Sequence, residues 1–420
     1  MVELWLPYGR TEIAVRVPVE NLLDVVDVEE PEAAPDPYAE ASRALENPIG
    51  NSRLENLVEA GKKVAIVVED EAMSTQNKVM LTTLLKELNS LGVNDRDITI
   101  IVGCSLDEPT SPVESGLLFG EDIVNRIRII NHDRSIRYLS YVGKTTLKTD
   151  VYVNKVFAEA DLRILTGRIR FHSYAGYSGG RMGVLPAISG KSTIQHTSTF
   201  LIDPRAVVGN ISGNPVHTDM AEAAHLADVH FILNVVANAE GNIIRAFAGD
   251  LDRAFLEGAR FMDSIYKVPV EKAADIAIVS PGGYLKDVNL YEACKAVDNV
   301  LGIVREGGIV ILVAECHGGY GNRAFYKQMK KLRSVNEVER KIKKSFILGE
   351  EEAYHLLKAM GKAKIILVSI MPEYHARDVF RLRTTKSVNV ALDSAFKTIG
   401  KKSKVLVIPH GSVTLPLLQA

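Results

Sequence analysis

The chain has 420 residues, 46% hydrophobic and 24% charged, with 50 Lys+Arg against 52 Asp+Glu and a formal net charge of -2 at pH 7. That length suits two or three domains, each able to bury its own core, and the balanced charge excludes nucleic acid or an anionic membrane surface as the main partner. Cys104, Cys294 and Cys316 are widely spaced and form no CxxC pair, which excludes a disulfide framework and a thiolate zinc site and points to a reducing cytoplasm.

The opening MVELWLPYGRTE has an early acid and no apolar core, unlike a secretory leader, and no apolar run approaches the ~20 residues of a membrane helix. Pro31–Pro37 reads as a surface loop. Short β-branched runs then recur as buried strands: Lys63–Val68, Ile98–Val102, Leu162–Thr166 and His230–Val236, and later Asp275–Ser280, Gly308–Ala314, Lys364–Ser369 and Lys404–Ile408. Between them, Asn77–Leu91 and Ala254–Tyr266 space apolar residues as amphipathic helices do. The basic stretch Lys327–Lys344 is interrupted by glutamates and reads as a solvated helix face. Alternating strand and helix predict α/β layers with mostly parallel sheets. A Pro-containing link at Tyr266–Lys272 divides the chain. The expected domains are 1–266, to which a tail of 405–420 returns, and 267–404. The default site is a cleft between the two, at strand carboxyl ends.

The stretch from Phe171 to Met220 concentrates the chemistry. Ser178-Gly179-Gly180-Arg181 follows a strand-like segment. Its glycines permit close approach of backbone N–H groups to an anion, with Arg181 as a charged partner; a plain glycine turn with a surface arginine is the competing reading. Gly190-Lys191-Ser192 is not a P-loop, because Leu185 stands where the first glycine is required. His172, His196 and His217 are the ionisable groups that this loop-rich region is best placed to gather, for proton transfer or metal binding. Their spacing matches no compact zinc pattern. Further along, Ser280-Pro-Gly-Gly-Tyr284 leads into a helix on which Tyr291 and Lys295, and Lys295 and Asn299, lie four apart on one face. Glu315 and His317 sit at another strand end.

Taken together, HSYAGYSGGR, VLPAI, GNPVHTDM, SPGGY and NLYEACK, with LPYGRTEIAV and IPHGSVTLP near the ends, resemble the nickel-pincer lactate racemase family nearly end to end. The resemblance implies two α/β domains with the active site between them. It also implies a nickel-pincer nucleotide, a pyridinium bisthiocarboxylate mononucleotide carrying nickel, to which C2 of a small-molecule 2-hydroxy acid gives up a hydride. Two histidines exchange the hydroxyl proton in that family.

Carried over, His172 is a proton-transfer residue and His196 the nickel ligand. Asp70, Ser178, Gly179, Gly180, Arg181 and Met182 line the cofactor. Lys295 is catalytic and, with Tyr291 and Glu292, binds the substrate. Three positions depart from the family. Met182 replaces the lysine that binds the cofactor covalently. Met73 replaces an arginine that grips the substrate carboxylate. Ser105 replaces the second histidine, and a serine is a very poor general base without activation. The expected function is a racemase or epimerase of a 2-hydroxy acid other than lactate, with the cofactor held non-covalently. The alternative is a catalytically impaired homologue that binds the nucleotide or the hydroxy acid.

Overall fold

A computed structural model describes residues 1–59, 61–69, 75–103 and 111–419. The chain divides into two compact units, Glu30–Asp263 and the pair of segments Met1–Glu29 with Ser264–Ala420.

The chain opens with β1 (Val2–Tyr8) and β2 (Thr11–Val17), paired antiparallel, followed by β3 (Leu22–Val25). The unit of 30–263 then begins with helix α1 (Pro37–Glu46), whose start is chemically marked. Pro37 occupies the first turn, where no N–H partner is needed, and the Asp36 carboxylate accepts from the N–H groups of Tyr38 and Ala39. The central elements are β4 (Val64–Glu69), α2 (Thr75–Ser90), β5 (Ile98–Gly103), β6 (Arg128–Asn131) and β9 (Leu162–Arg168), with β12 (Phe231–Ala237) and β13 (Ile243–Gly249) completing the sheet. Its order is β13-β12-β9-β4-β5-β6, parallel except for the β12–β13 pair. Val64–Val68 are buried without alternation, because layers cover both faces of a parallel sheet.

Between β6 and β9 lies the hairpin β7 (Leu139–Lys144) and β8 (Asp150–Asn154). After β9 come the short hairpin β10 (Phe171–His172) and β11 (Gly176–Tyr177), then helices α3 (Lys191–Ser198) and α4 (Pro215–Leu226). Helix α5 (Arg253–Tyr266) follows β13 and contains the boundary between units.

The other unit continues with β14 (Lys267–Val270), β15 (Ala274–Val279), α6 (Leu290–Val300), β16 (Val304–Val313), α7 (Glu351–Lys362), β17 (Lys364–Val368), β18 (Arg383–Thr385), α8 (Val388–Ile399), β19 (Val405–Ile408) and β20 (Leu415–Leu418). Its sheet, β18-β17-β16-β15-β19-β3, is parallel throughout.

The expected strands and amphipathic helices are all present, and the fold is α/β with mostly parallel sheets. The assignment of the chain's ends differs from expectation. Residues 1–29 pack with the second unit, because β3 adds to β19 and the β1–β2 hairpin contributes Leu6, Val15 and Val17 to the core formed by Ile276, Ile278, Ile309 and Leu392. The tail stays there too: β19 lies beside β15, and β20 pairs with β14. The hairpin's non-local pairings cannot be read from local pattern.

One buried carboxylate ties the hairpin turn to this sheet. Asp287 has no exposed surface, and its Oδ2 accepts from the N–H groups of Gly9 at 2.7 Å and Glu315 at 3.1 Å. Removing it strands two amides away from water, so Asp287→Ala is expected to lower unfolding free energy by roughly 2–4 kcal/mol in urea titrations, with Asp287→Asn milder. An unchanged midpoint in the alanine variant would show that the turn is not anchored there.

Candidate active site

In the sheet of the 30–263 unit, the chain runs from β4 out through β5 to β6, then returns to place β9 on the other side of β4. This reversal is where an open α/β sheet offers a crevice at its strand carboxyl ends. Glu69 ends β4 and Gly167 lies near the end of β9. The loop carrying the sequence-predicted residues rises directly from β9. Asp70, like Met73 and Ser105, lies outside the described residues.

The loop is organised by Arg181. Its side chain is 2% exposed, and its Nη2 donates to the carbonyls of Ala175 and Tyr177, both at 2.9 Å, while Nη1 donates to Gly179 at 3.4 Å. The guanidinium also lies 4.2 Å from the centre of the Phe255 ring. Burial pushes its pKa down to about 9, with Asp252 opposing the shift. It therefore remains a cation at neutral pH, balanced by carbonyl dipoles and an aromatic face. Arg181 thus does not face outward as an anion clamp; its hydrogen-bonding capacity is spent on the loop. Ser178 behaves similarly, its Oγ donating to the Arg168 carbonyl at 2.7 Å and its N–H to that of Arg170 at 2.9 Å.

The glycines do what other residues here could not. Gly176, at φ +79°, lies so close to Asn210 that an added Cβ would overlap the Asn210 carbonyl. Gly179 and Gly180 are at φ +83° and +52°, and the Gly180 N–H donates to Asn234 Oδ1 at 3.1 Å. Beneath them Asn234 is wholly buried, and its Nδ2 has no hydrogen-bond partner among the described residues. An orphaned buried donor beneath a glycine turn fits a ligand bearing acceptor oxygens. Met182 is part-buried in the same turn, and its thioether offers no amine for a covalent link.

The three histidines of this region are not gathered into one metal site; among the described residues no group of three or more His, Cys, Asp or Glu is placed to hold an ion. They occupy different environments. His172, on β10, is part-exposed; the Ala175 N–H donates to its Nδ1 at 3.3 Å and its ring meets the edge of Tyr174 at 4.5 Å. His196, on α3, is also part-exposed, with Nδ1 2.7 Å from the Thr149 hydroxyl. His217 is instead half a stack, 6.0 Å from Phe255, its pKa lowered to about 3 by burial and by Arg181. A fourth histidine, His132, is buried between Ser189 and Asn154, with burial lowering its pKa to about 4. Sequence spacing carries no signal for Thr149, which meets His196, or for Asn234, which meets the glycine turn, because both contacts arise only in the fold.

In the other unit, Asn289 caps α6 by accepting from the Glu292 N–H, which fixes the helix start just before Tyr291. Lys295 Nζ donates to Glu292 Oε2 at 2.6 Å and lies 5.5 Å from the Tyr291 ring. The Tyr291 hydroxyl donates to Glu351 at 2.8 Å, and burial with neighbouring carboxylates raises its pKa well above the usual value. Burial pushes Asp298 up to about 7 against the pull of Lys358 and Lys295, and burial, with the charge of Asp298, raises Glu352 well above the usual carboxylate value. Asn299 does not share an outward face with Lys295: it is buried and donates to the Gly411 carbonyl at 2.8 Å. Glu315 and His317 do meet, at 3.0 Å, at the end of β16.

Comparison with known proteins gives a consistent result. The family model for the lactate racemase N-terminal domain matches residues 8–209, and that for the lactate racemase C-terminal domain matches 270–415. A lactate racemase of Thermoanaerobacterium thermosaccharolyticum is 32% identical, covering 98% of each chain. One of Lactiplantibacillus plantarum is 31% identical, covering 98% of this chain and 99% of the relative. The structure of the lactate racemase apoprotein from Thermoanaerobacterium thermosaccharolyticum superposes with a TM-score of 0.90 at 30% identity over the whole of both chains. A crystal structure of a Thermotoga maritima protein, 16% identical, shares the fold with a TM-score of 0.66 over 91% of this chain and 97% of its own. Among the described residues no helix is long and apolar enough to cross a membrane.

Two histidines with lowered pKa values set a pH dependence. His132 and His217 have folded-state pKa values of about 4 and about 3, below the ordinary ~6.5. The unfolded chain therefore binds more protons as pH falls below ~6.5, so their stabilising contribution is complete above that value and lost beneath it. Between pH 7 and pH 5 each is expected to cost about 2 kcal/mol of stability. Urea titrations across this range should show a smaller acid loss in His217→Leu; an identical pH profile would show that His217 is not held neutral.

Proposed function

Because this chain belongs to the lactate racemase family, we propose that it is a racemase or epimerase of a small 2-hydroxy acid acting with a nickel-pincer nucleotide. The observation that carries this reading is the contrast among its histidines. His172 and His196 are part-exposed and anchored through Nδ1, whereas His132 is buried and His217, though also part-exposed, stacks on Phe255 with its Nδ1 enclosed, and both of these are held neutral. When bound, the nucleotide supplies the hydride acceptor for the substrate's C2 carbon. His172 takes the hydroxyl proton and returns it, a task suited to an imidazole near neutral pH. His196 would hold the nickel.

The backbone of Gly179, Gly180 and Met182, with the Asn234 amide below, would cradle the nucleotide. Asp70 would lie beside it, and Ser178 and Arg181 hold the cradle's shape. Met182 makes the attachment non-covalent, since a thioether forms no amide-type bond. Lys295 would bind the substrate carboxylate, with Tyr291 and Glu292 beside it. Glu292 already occupies the Lys295 ammonium at 2.6 Å, which weakens its attraction for a simple carboxylate. With Met73 in place of an arginine, this favours a substrate other than lactate, one bringing a donor group that Glu292 accepts.

The test is metal analysis and mass spectrometry of protein expressed beside cofactor-making enzymes, under native and denaturing conditions. Nickel near one per chain, with the nucleotide released on denaturation, is the expected result. A metal-free protein that D- or L-hydroxy acids stabilise without interconversion would instead mark a binding homologue.

Turnover of any D/L pair should fall at least ~100-fold in His172→Ala, the range typical of a lost acid–base group. Undiminished turnover would remove His172 from the mechanism. Glu292→Gln frees the Lys295 cation and should lower KM for lactate roughly tenfold, the scale of one charge-assisted hydrogen bond; an unchanged KM would show that Glu292 does not govern substrate choice.

A further inference from the structure

Behind His196 lies a closed set of hydroxyls around one carboxylate. Asp219, on α4, has no exposed surface. Its Oδ1 accepts from the Thr145 hydroxyl at 2.6 Å, and its Oδ2 accepts from the hydroxyls of Thr149 at 2.8 Å and Thr197 at 2.5 Å. The Thr149 N–H in turn donates to Thr145 Oγ1 at 3.0 Å, so the β7–β8 turn holds both threonines in place. Thr149 is itself wholly buried, and its Oγ1 is also 2.7 Å from His196 Nδ1.

A hydroxyl has one hydrogen, and two acceptors compete for the one on Thr149. A carboxylate can only accept, and it is the stronger acceptor of the two. The hydrogen therefore goes to Asp219, and Thr149 Oγ1 must receive one from His196 Nδ1. In the neutral ring the second nitrogen, Nε2, then carries an in-plane lone pair. No partner for Nε2 is found among the described residues, and the ring is further oriented by Phe200, whose centre lies 5.4 Å away nearly edge-on.

We propose that Asp219, acting through the Thr149 hydroxyl, is a positioning pair that fixes His196 in the Nδ1–H tautomer and so presents Nε2 as a preformed donor to a divalent metal. The inference rests on the reading of His196 as the nickel ligand. Outer-shell carboxylates are known to set the tautomer and orientation of metal-bound histidines. Here the carboxylate is one hydroxyl removed. Thr145 and Thr197 occupy its other acceptor sites, which holds Asp219 still. The opposite tautomer would point a hydrogen at the metal position and set lone pairs of Nδ1 and Oγ1 against each other.

The test uses the full chain with histidine-selective 15N labelling, the His196 signals being assigned by their loss in His196→Gln. At a pH where the ring is neutral, long-range proton–nitrogen correlations are expected to show a protonated Nδ1 and an unprotonated Nε2 in the wild type and in Thr149→Ser. In Thr149→Val the pattern should move toward protonated Nε2, with the far-ultraviolet circular dichroism unchanged. Protein expressed beside the cofactor-making enzymes and titrated with EDTA should hold nickel roughly 10–100-fold more weakly in Thr149→Val, with Thr149→Ser near wild type. An unprotonated Nδ1 in the wild type, or an unaltered tautomer in Thr149→Val, overturns the positioning role even if His196→Gln loses nickel. Equal nickel retention in wild type and His196→Gln overturns the ligand reading, and the proposal with it.

Discussion

A guanidinium enclosed in its own loop is the constraint on which the candidate site depends. Arg181 reaches back to the carbonyls of Ala175, Tyr177 and Gly179 and packs on Phe255. Backbone carbonyls crowded into a tight interior turn are costly to bury, a cost that the charge lowers. This locks the β10–β11 hairpin that carries His172 and the turn that carries Met182. The glycines at 176, 179 and 180 make that closure sterically possible. The loop is rigid because its cation is interior, so chemistry is left to groups that the loop merely positions.

Position along the sheet explains why the chemistry gathers where it does. Each parallel sheet reverses its strand order once, around β4 in one unit and around β15 in the other. At such a reversal the connections leave in opposite directions and the strand ends stay uncovered. In the 30–263 unit that end holds Glu69, Gly167, Asn234 and the Arg181 loop. In the other, the loops after β15 and β19 meet, with the Gly411 N–H donating to the Ser280 carbonyl at 2.7 Å. Glu315 lies two residues beyond the end of neighbouring β16, and α6 begins just after the turn that follows β15. The same geometric rule therefore places glycine turns, acids and histidines at strand carboxyl ends in both units.

Buried polar groups divide into two kinds. Asp219 is satisfied at both oxygens by threonine hydroxyls, and Asp287 Oδ2 and Arg181 Nη2 each hold two backbone groups in place, although Asp287 Oδ1 and Arg181 Nε have no partner among the described residues. Asn234 Nδ2 and the crowded carboxyls of Asp298 and Glu352 are not fully satisfied among the described residues. Such orphaned or unwillingly charged groups concentrate where a ligand or a proton completes the set.

Much of the architecture was legible in the chain itself. Continuous β-branched runs announced two-sided burial, and helical spacing marked α2 and α5, because these are local consequences of covering a sheet on both faces. The motifs of the 171–220 stretch pointed to the right family. Local pattern did not determine which way a side chain turns. SGGR is compatible with an arginine facing an anion or facing its own carbonyls, and only the packing of Phe255 and the turn decided for the second. His172, His196 and His217 look alike in sequence; burial against Phe255 separates the last, and Thr149 and Asp219, 47 and 23 positions from His196 in opposite directions, define the second. The chain ends likewise needed the fold, since β3 and the β1–β2 hairpin join strands hundreds of residues away. Sequence determined the elements, their layers and the family, because these follow from local periodicity and motif. Tertiary structure decided partners, protonation and direction, because these depend on which distant groups share one desolvated space.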